Sequence, residues 1–376
     1  MREALTLIGA TAALCLAGCS PTDPYAPRAV HRLYASSQGA ALAAVTQDGR
    51  LGVWVLDRGV AVQPRIERGP VPKQSLALVD APGSSAIWTC RAGELCATNL
   101  ATGSEASLAI YGGDDSVVQG VSGPGATLVV GTQAGAILEF TNGLPTRRYK
   151  PRDVWSAGSA VPIYTLEASS DLSLVVSAGA EMGMESLTRR RGNGRFNPAE
   201  AWFEFVRSDG GVRRMPMWLG PVAWRLGSPT SVSEDSQTRV RADVSYDGLR
   251  FAVKDEGGPG FVVYDSISLR PLHELSQLEL RHCNGLRFLD VQGRYLSSIA
   301  YSQAALSLVD LAAAPPSVVS LPLKNPPAGG ARVLAAMPSR GWLFVGLQNA
   351  AIDWYEFHGD PGPEIVYKGQ LRFTGR

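Results

Sequence analysis

The chain has 376 residues, with 35 Lys and Arg against 34 Asp and Glu and a formal net charge of +1. No run of like charge is long enough to track a nucleic-acid backbone, so nucleic acid is not an expected partner, and no apolar run beyond the N-terminus approaches the ~20 residues of a membrane helix. Gly at 41 and Pro at 25 are high for a helical protein and ordinary for one made of many short strands and turns.

Residues 1–18 read as a secretory signal: Arg2 near the start, an apolar run from Leu5 to Leu16, then small residues up to Cys19. The alternatives are a plain signal with an incidental cysteine and a short buried helix. Leu16-Ala17-Gly18-Cys19 resembles the lipobox of bacterial lipoproteins, which implies cleavage before Cys19 and acylation of that residue. Each buried methylene of an acyl chain contributes about 0.8 kcal/mol, so several chains hold a protein on a membrane. Ser20, standing where Asp would retain the protein, implies delivery to the periplasmic face of the outer membrane. Residues 19–30, carrying Pro21, Pro24 and Pro27, form an extended tether with no core of its own. Residues 31–376 remain for the folded domain.

One pattern recurs down that domain: an apolar strand, a small polar break, a second apolar strand. Ala43–Thr46 breaks at Gln47-Asp48-Gly49-Arg50 and resumes at Leu51–Val55. Ala86–Cys90 breaks at Arg91–Glu94 and resumes at Leu95. Leu128–Thr132 breaks at Gln133–Ala136 and resumes at Ile137–Phe140. Leu172–Ala178 and Ala201–Val206 are separated by a long insertion in the place of a turn. Leu249–Val253, entered through the turn pair Asp247-Gly248, resumes at Phe261–Tyr264 and closes with Asp265. Leu296–Tyr301 resumes at Leu306–Val309, closed by Asp310, and Leu343–Leu347 resumes at Ile352–Tyr355. Gly and small polar residues suit the breaks because tight hairpins need residues that tolerate positive φ.

These copies lie roughly 42 to 66 residues apart, a period that accommodates four short strands and is the signature of a β-propeller. The expectation is an all-β, seven-bladed propeller with four-stranded blades. A blade has two apolar faces and buries neither alone; packing blades in a ring buries both. The competing architecture is a pair of β-sandwiches with hairpins at similar spacing. Whether the segment near His31 to Ala35 closes the ring by pairing with the last blade is open. Asp247-Gly248 with Asp265, and more loosely Trp54 to Asp57, resemble the repeats of bacterial WD-repeat and YVTN-type propellers. The resemblance implies the same fold for about residues 35 to 376 and covers only one or two blades strongly.

With Cys15 removed and Cys19 acylated, Cys90, Cys96 and Cys283 remain, an odd number for an oxidising compartment. Cys90 and Cys96 flank one hairpin break, and register decides whether they bridge. A two-residue turn at Ala92-Gly93 places Cys90 opposite Leu95 and Cys96 on the other face; a turn of odd length places the cysteines opposite each other. His31, His273, His282 and His358 form no metal-binding or catalytic spacing, and neither a phosphate-binding loop nor a nucleophile motif is present, so no metal and no cofactor is expected. The insertion puts Arg189, Arg190, Arg191 and Arg195 in one loop. It reads either as a solvated surface loop or as a docking arm for an acidic partner, because guanidinium forks grip carboxylate and phosphate.

The expected function is a non-catalytic protein-interaction scaffold in an envelope complex, anchored to the membrane by lipid. The competing expectation is a propeller hydrolase, lactonase-like, with a site at the central channel. Three or more His, Asp or Glu side chains converging at the axis would favour the enzyme.

Overall fold

The computed structural model describes residues 29–36, 39, 41–56, 61–69, 76–79, 85–91, 94–99, 102, 104–110, 117–125, 127–132, 137–142, 144–149, 163–180, 201–207, 212–216, 240–255, 261–268, 270–275, 283–300, 305–324, 330–360 and 362–374. Their strands form seven four-stranded sheets, each an antiparallel meander of consecutive strands.

Sheet 1 holds β1 (Val30–Ala35), β2 (Ala41–Thr46), β3 (Leu51–Val55) and β4 (Ile66–Arg68). Sheet 2 holds β5 (Leu76–Val79), β6 (Ser85–Arg91), β7 (Glu94–Asn99) and β8 (Glu105–Ile110). Sheet 3 holds β9 (Val117–Ser122), β10 (Thr127–Thr132), β11 (Ile137–Thr141) and β12 (Leu144–Tyr149). Sheet 4 holds β13 (Ile163–Ala168), β14 (Leu174–Ala180), β15 (Ala201–Arg207) and β16 (Val212–Pro216). Sheet 5 holds β17 (Val240–Val244), β18 (Arg250–Asp255), β19 (Phe261–Asp265) and β20 (Pro271–Leu275). Sheet 6 holds β21 (Cys283–Phe288), β22 (Tyr295–Ala300), β23 (Ala305–Asp310) and β24 (Ser317–Pro322). Sheet 7 holds β25 (Ala331–Met337), β26 (Trp342–Leu347), β27 (Ala351–His358) and β28 (Glu364–Arg372).

The hairpins seen in the sequence are the second and third strands of these sheets. The first strand of each sheet lies beside the first strand of the next, and β25 lies against β1. The first strands therefore line the axis, and the architecture is an all-β propeller with four-stranded blades.

The alternation of side chains along each strand explains the packing. On β22, Leu296 packs towards sheet 5 with Phe261 and Val263, while Tyr295 and Ile299 pack towards sheet 7 with Leu334 and Leu343. On β2, Leu42 and Ala44 face Phe344 and Ile352 of sheet 7, while Ala41, Ala43 and Val45 line the other side of the sheet, where Cys96 of sheet 2 packs. Every second residue thus serves a different interface, and a central strand reads as apolar almost throughout. Each fully buried Val, Leu, Ile or Phe contributes about 1.5 to 3 kcal/mol.

Among the described residues the ring closes without strand exchange. Val30–Ala35 pairs with β2 of its own sheet, not with the last sheet. Sheets 7 and 1 are joined instead by the packing of Val30, Leu33 and Trp54 against Ala335, Phe344 and Leu371, by one backbone bond from Arg372 N to the Val62 carbonyl at 2.9 Å, and by the C-terminal residues. Phe373 packs on Trp54, and Thr374 donates to Glu67, which is also paired with Arg50.

Candidate functional site

One rim is formed by the turns that join first to second strands and third to fourth. Their chemistry repeats. In sheet 5, Ser245 Oγ donates to Asp247 Oδ1 at 2.6 Å and accepts from Arg250 N at 2.9 Å, while Asp247 Oδ1 also accepts from Leu249 N at 3.0 Å. In sheet 4, Ser169 Oγ donates to Asp171 Oδ1 at 2.8 Å and accepts from Leu174 N at 3.0 Å. Ser36 Oγ accepts from Ala41 N at 2.9 Å in sheet 1, and Asp290 accepts from Tyr295 N at 2.7 Å in sheet 6. Each device satisfies turn amides that no strand partner can reach. Asp265 caps Ile267 N and Ser268 N in the neighbouring turn of sheet 5, which gives the strand-ending Asp a structural role. These hydrogen bonds hold the Asp171 and Asp265 carboxyls below the ordinary carboxylate range; at Asp171 they outweigh burial, which acts in the opposite sense.

The turns also interlock from sheet to sheet. Ser170 donates from Oγ and N to the Tyr246 carbonyl at 2.9 and 3.2 Å, joining sheets 4 and 5. Arg250 Nη1 donates to the Gly293 carbonyl at 3.0 Å, joining 5 and 6. Tyr295 Oη donates to the Gly359 carbonyl at 2.9 Å, joining 6 and 7. Arg340 Nη1 donates to the Leu56 carbonyl at 3.4 Å, joining 7 and 1. On this fixed rim stand Leu249, Ile267 and Val291, which are 52%, 63% and 37% exposed.

The second feature lies at the axis. Arg287 Nη1 of β21 is 3.2 Å from Glu167 Oε1 of β13 and 3.4 Å from Asp243 Oδ1 of β17. Asp243 Oδ2 accepts Phe288 N at 2.5 Å. Tyr34 of β1 interacts with Arg287 electrostatically, and its hydroxyl accepts Arg32 Nη1 at 3.3 Å. Burial pushes Asp243 up to about 7; Arg287 opposes that rise and Glu167 adds to it. Burial would lower Arg287, but Glu167 and Asp243 outweigh it and raise the guanidinium further. Among the described residues the axis therefore gathers two carboxylates on one guanidinium.

The sequence-predicted residues fare differently. Cys19, Cys90, Arg189, Arg190, Arg191 and Arg195 have side chains outside the described residues. Cys96 is disulfide-bonded and lies opposite Trp88. Arg91 pairs with Glu94, yet Thr89 rather than Cys90 faces Leu95. An irregularity between Thr89 and Arg91 absorbs a residue, so turn length alone does not assign the face. Among the described residues no group of three His, Cys, Asp or Glu could hold a metal ion. Glu167, Asp243 and Arg287 were missed in the sequence. The available signal was a lone acid within the apolar strand VRADV.

No known protein family and no curated protein matches the chain. Solved structures do. The β-propeller domain of Cps50 (Swd1) from Myceliophteria thermophila is 14% identical, with a TM-score of 0.57 over 87% of this chain and 95% of that one. KlHsv2 with its loop 6CD replaced by a Gly-Ser linker is 9% identical, with a TM-score of 0.54 over 92% of this chain and 99% of that one. A chain of the mitotic checkpoint complex is 11% identical, with a TM-score of 0.50 over 78% of this chain and 79% of that one. At such identities the likeness establishes the fold, a β-propeller, and not the activity.

Proposed function

We propose that this chain is a seven-bladed propeller lipoprotein that serves as a non-catalytic protein-interaction scaffold in a bacterial envelope complex. Acylation at Cys19 anchors it to the periplasmic face of the outer membrane, and the residues between Cys19 and β1 tether the ring, with Ala29 and Val30 of the expected tether buried in the first sheet instead. Cys90 is the partner of Cys96, and Arg189, Arg190, Arg191 and Arg195 form an arm for an acidic partner. The observation that carries the scaffold reading is the interlocked rim. Its turns are hydrogen-bonded across four successive sheet junctions, and it presents Leu249, Ile267 and Val291 to solvent. A surface held rigid before contact loses little entropy on docking, and exposed apolar side chains supply the burial that drives it.

The test is affinity capture of the tagged, lipid-bearing protein from its native envelope, beside Leu249→Ser/Ile267→Ser and Cys19→Ser variants. The expected result is a defined envelope protein held at fixed stoichiometry by the parent and lost from the rim variant. Cys19→Ser should move the protein from the membrane to the soluble fraction. Capture unaffected by the rim substitutions, or a Cys19→Ser protein still on the membrane, would overturn the corresponding part.

A further inference from the structure

Glu167, Asp243 and Arg287 occupy one register. Glu167 stands two residues before Ser169, Asp243 two before Ser245, and Arg287 two before Leu289, where the first turn of each sheet begins. Tyr34 stands two before Ser36 in sheet 1. The four side chains belong to one layer of the axis, immediately beneath the interlocked rim. Arg287 reaches from sheet 6 past sheet 5 to Glu167 on sheet 4, and Asp243 joins sheet 5 to the Phe288 amide of sheet 6.

We propose that Glu167, Asp243 and Arg287 form a proton-operated clasp that binds sheets 4, 5 and 6 together beneath the rim and slackens when its proton leaves. The contacts set two carboxylates against one guanidinium, with side chains 17%, 10% and 24% exposed for Glu167, Asp243 and Arg287. One proton on Asp243 leaves a matched Glu167–Arg287 pair. Its loss places a second negative charge where water reaches poorly, beside the first. Among the described residues the groups that face this centre are Glu167 from β13, Arg287 and the Phe288 amide from β21, the Val244 amide from β17 itself, and, through Arg287, Tyr34 from β1. Arg32 is held on the Tyr34 hydroxyl. The elevation of Asp243 to about 7 agrees with this arrangement and places the release near neutral pH.

The sign follows from linkage. The Asp243 carboxyl is raised above its unfolded value of 3.8, so the folded state binds the extra proton between roughly pH 4 and 7. Its stabilising contribution is complete below that window and is lost as pH rises through it. The unfolding constant should climb by up to about tenfold per pH unit there.

The experiment compares unfolding of the full chain from pH 4 to 8 for the parent, Asp243→Asn and Glu167→Gln, with hydrogen exchange of the Phe288 amide and the 245–250 turn corrected for intrinsic rates. Asp243→Asn should flatten the profile between pH 4 and 7, unfold later than the parent at pH 8, and remove the loosening of the turn. Subtracting the profiles isolates Asp243 from other groups displaced by burial, such as Asp353 and His273. Glu167→Gln should move the parent's midpoint to lower pH, since the neighbouring negative charge is gone. This variant decides the matter even if Asp243→Asn fails to fold. Coincident parent and Asp243→Asn profiles, or an unmoved midpoint in Glu167→Gln, would overturn the clasp.

Discussion

Phe373 stands edge-on to Trp54, with ring centres 5.4 Å apart and planes at 87°. One residue lies near the C-terminus and the other in the first sheet, so this contact sits on the seam of the ring. Trp54 is fully buried, and the Arg50 guanidinium covers the Phe373 ring at 5.3 Å. Among the described residues no strand crosses the seam, so side-chain packing, with the Arg372–Val62 backbone bond and the Thr374–Glu67 contacts, carries the closure. Phe373→Ala should destabilise the protein by about 2 kcal/mol, from the lost edge-to-face contact and the half-buried ring together. Urea denaturation followed by tryptophan fluorescence measures it. An unchanged midpoint would mean that the ring closes without the C-terminal residues.

Glu67 gives the same seam a pH dependence opposite to that of the axis. Burial would raise its carboxyl, but hydrogen bonds from the Thr374 side chain and amide, with Arg50, outweigh it and hold the carboxyl below its usual value of 4.5. A depressed carboxyl contributes stability above that value and loses it as pH falls below. Glu67→Gln should therefore weaken the seam at pH 7 and make little difference at pH 3. Limited proteolysis of the C-terminal residues at the two pH values reads this directly; equal sensitivity of parent and variant at pH 7 would refute it.

Two glycines with similar backbones separate strain from crowding. Gly293 has φ +65°, and a Cβ there would lie 2.6 Å from Ser245 Cβ across the junction of sheets 5 and 6. Gly125 has φ +62° with nothing within 4 Å of such an atom. Gly125→Ala should cost only the left-handed backbone, about 1 kcal/mol. Gly293→Ala should cost about 3 kcal/mol, because the clash adds to that strain and forces the interlocked turns apart. Thermal melts of the two variants should differ accordingly, and equal shifts would show that the rim is looser than its hydrogen bonds imply.

Replacement of Arg189, Arg190, Arg191 and Arg195 by Ser should leave the melting temperature unchanged and reduce capture of the partner from envelope extracts. These residues fall in the sequence between the second and third strands of sheet 4, outside the rim residues substituted in the capture test above. Retained capture would assign recognition to the rim alone.

The second and third strands of every sheet were legible because they are central strands, apolar on both sides and bounded by hairpin chemistry. Phe251, Val263, Leu296 and Phe344 each sit in a run that has no other use. The first strands were less legible. Strands such as IYTLEA, VRADV and CNGLRF carry polar residues among the apolar ones, because their sides face the axis as well as a neighbouring sheet. Glu167, Asp243 and Arg287 lie in three different repeats, and no linear spacing connects them.

Sequence alone determined the repeat and the chemistry of its hairpin breaks, since periodic apolarity and turn chemistry are local and are written in adjacent residues; it began two strands at Leu172 and Leu249, which belong to the turns that lead into Leu174 and Arg250. Tertiary structure decided how the ring closes, which turns lock together and which charges meet at the axis. Those depend on contacts between residues far apart in the chain, where the packing of whole sheets, rather than local preference, sets the distance between groups.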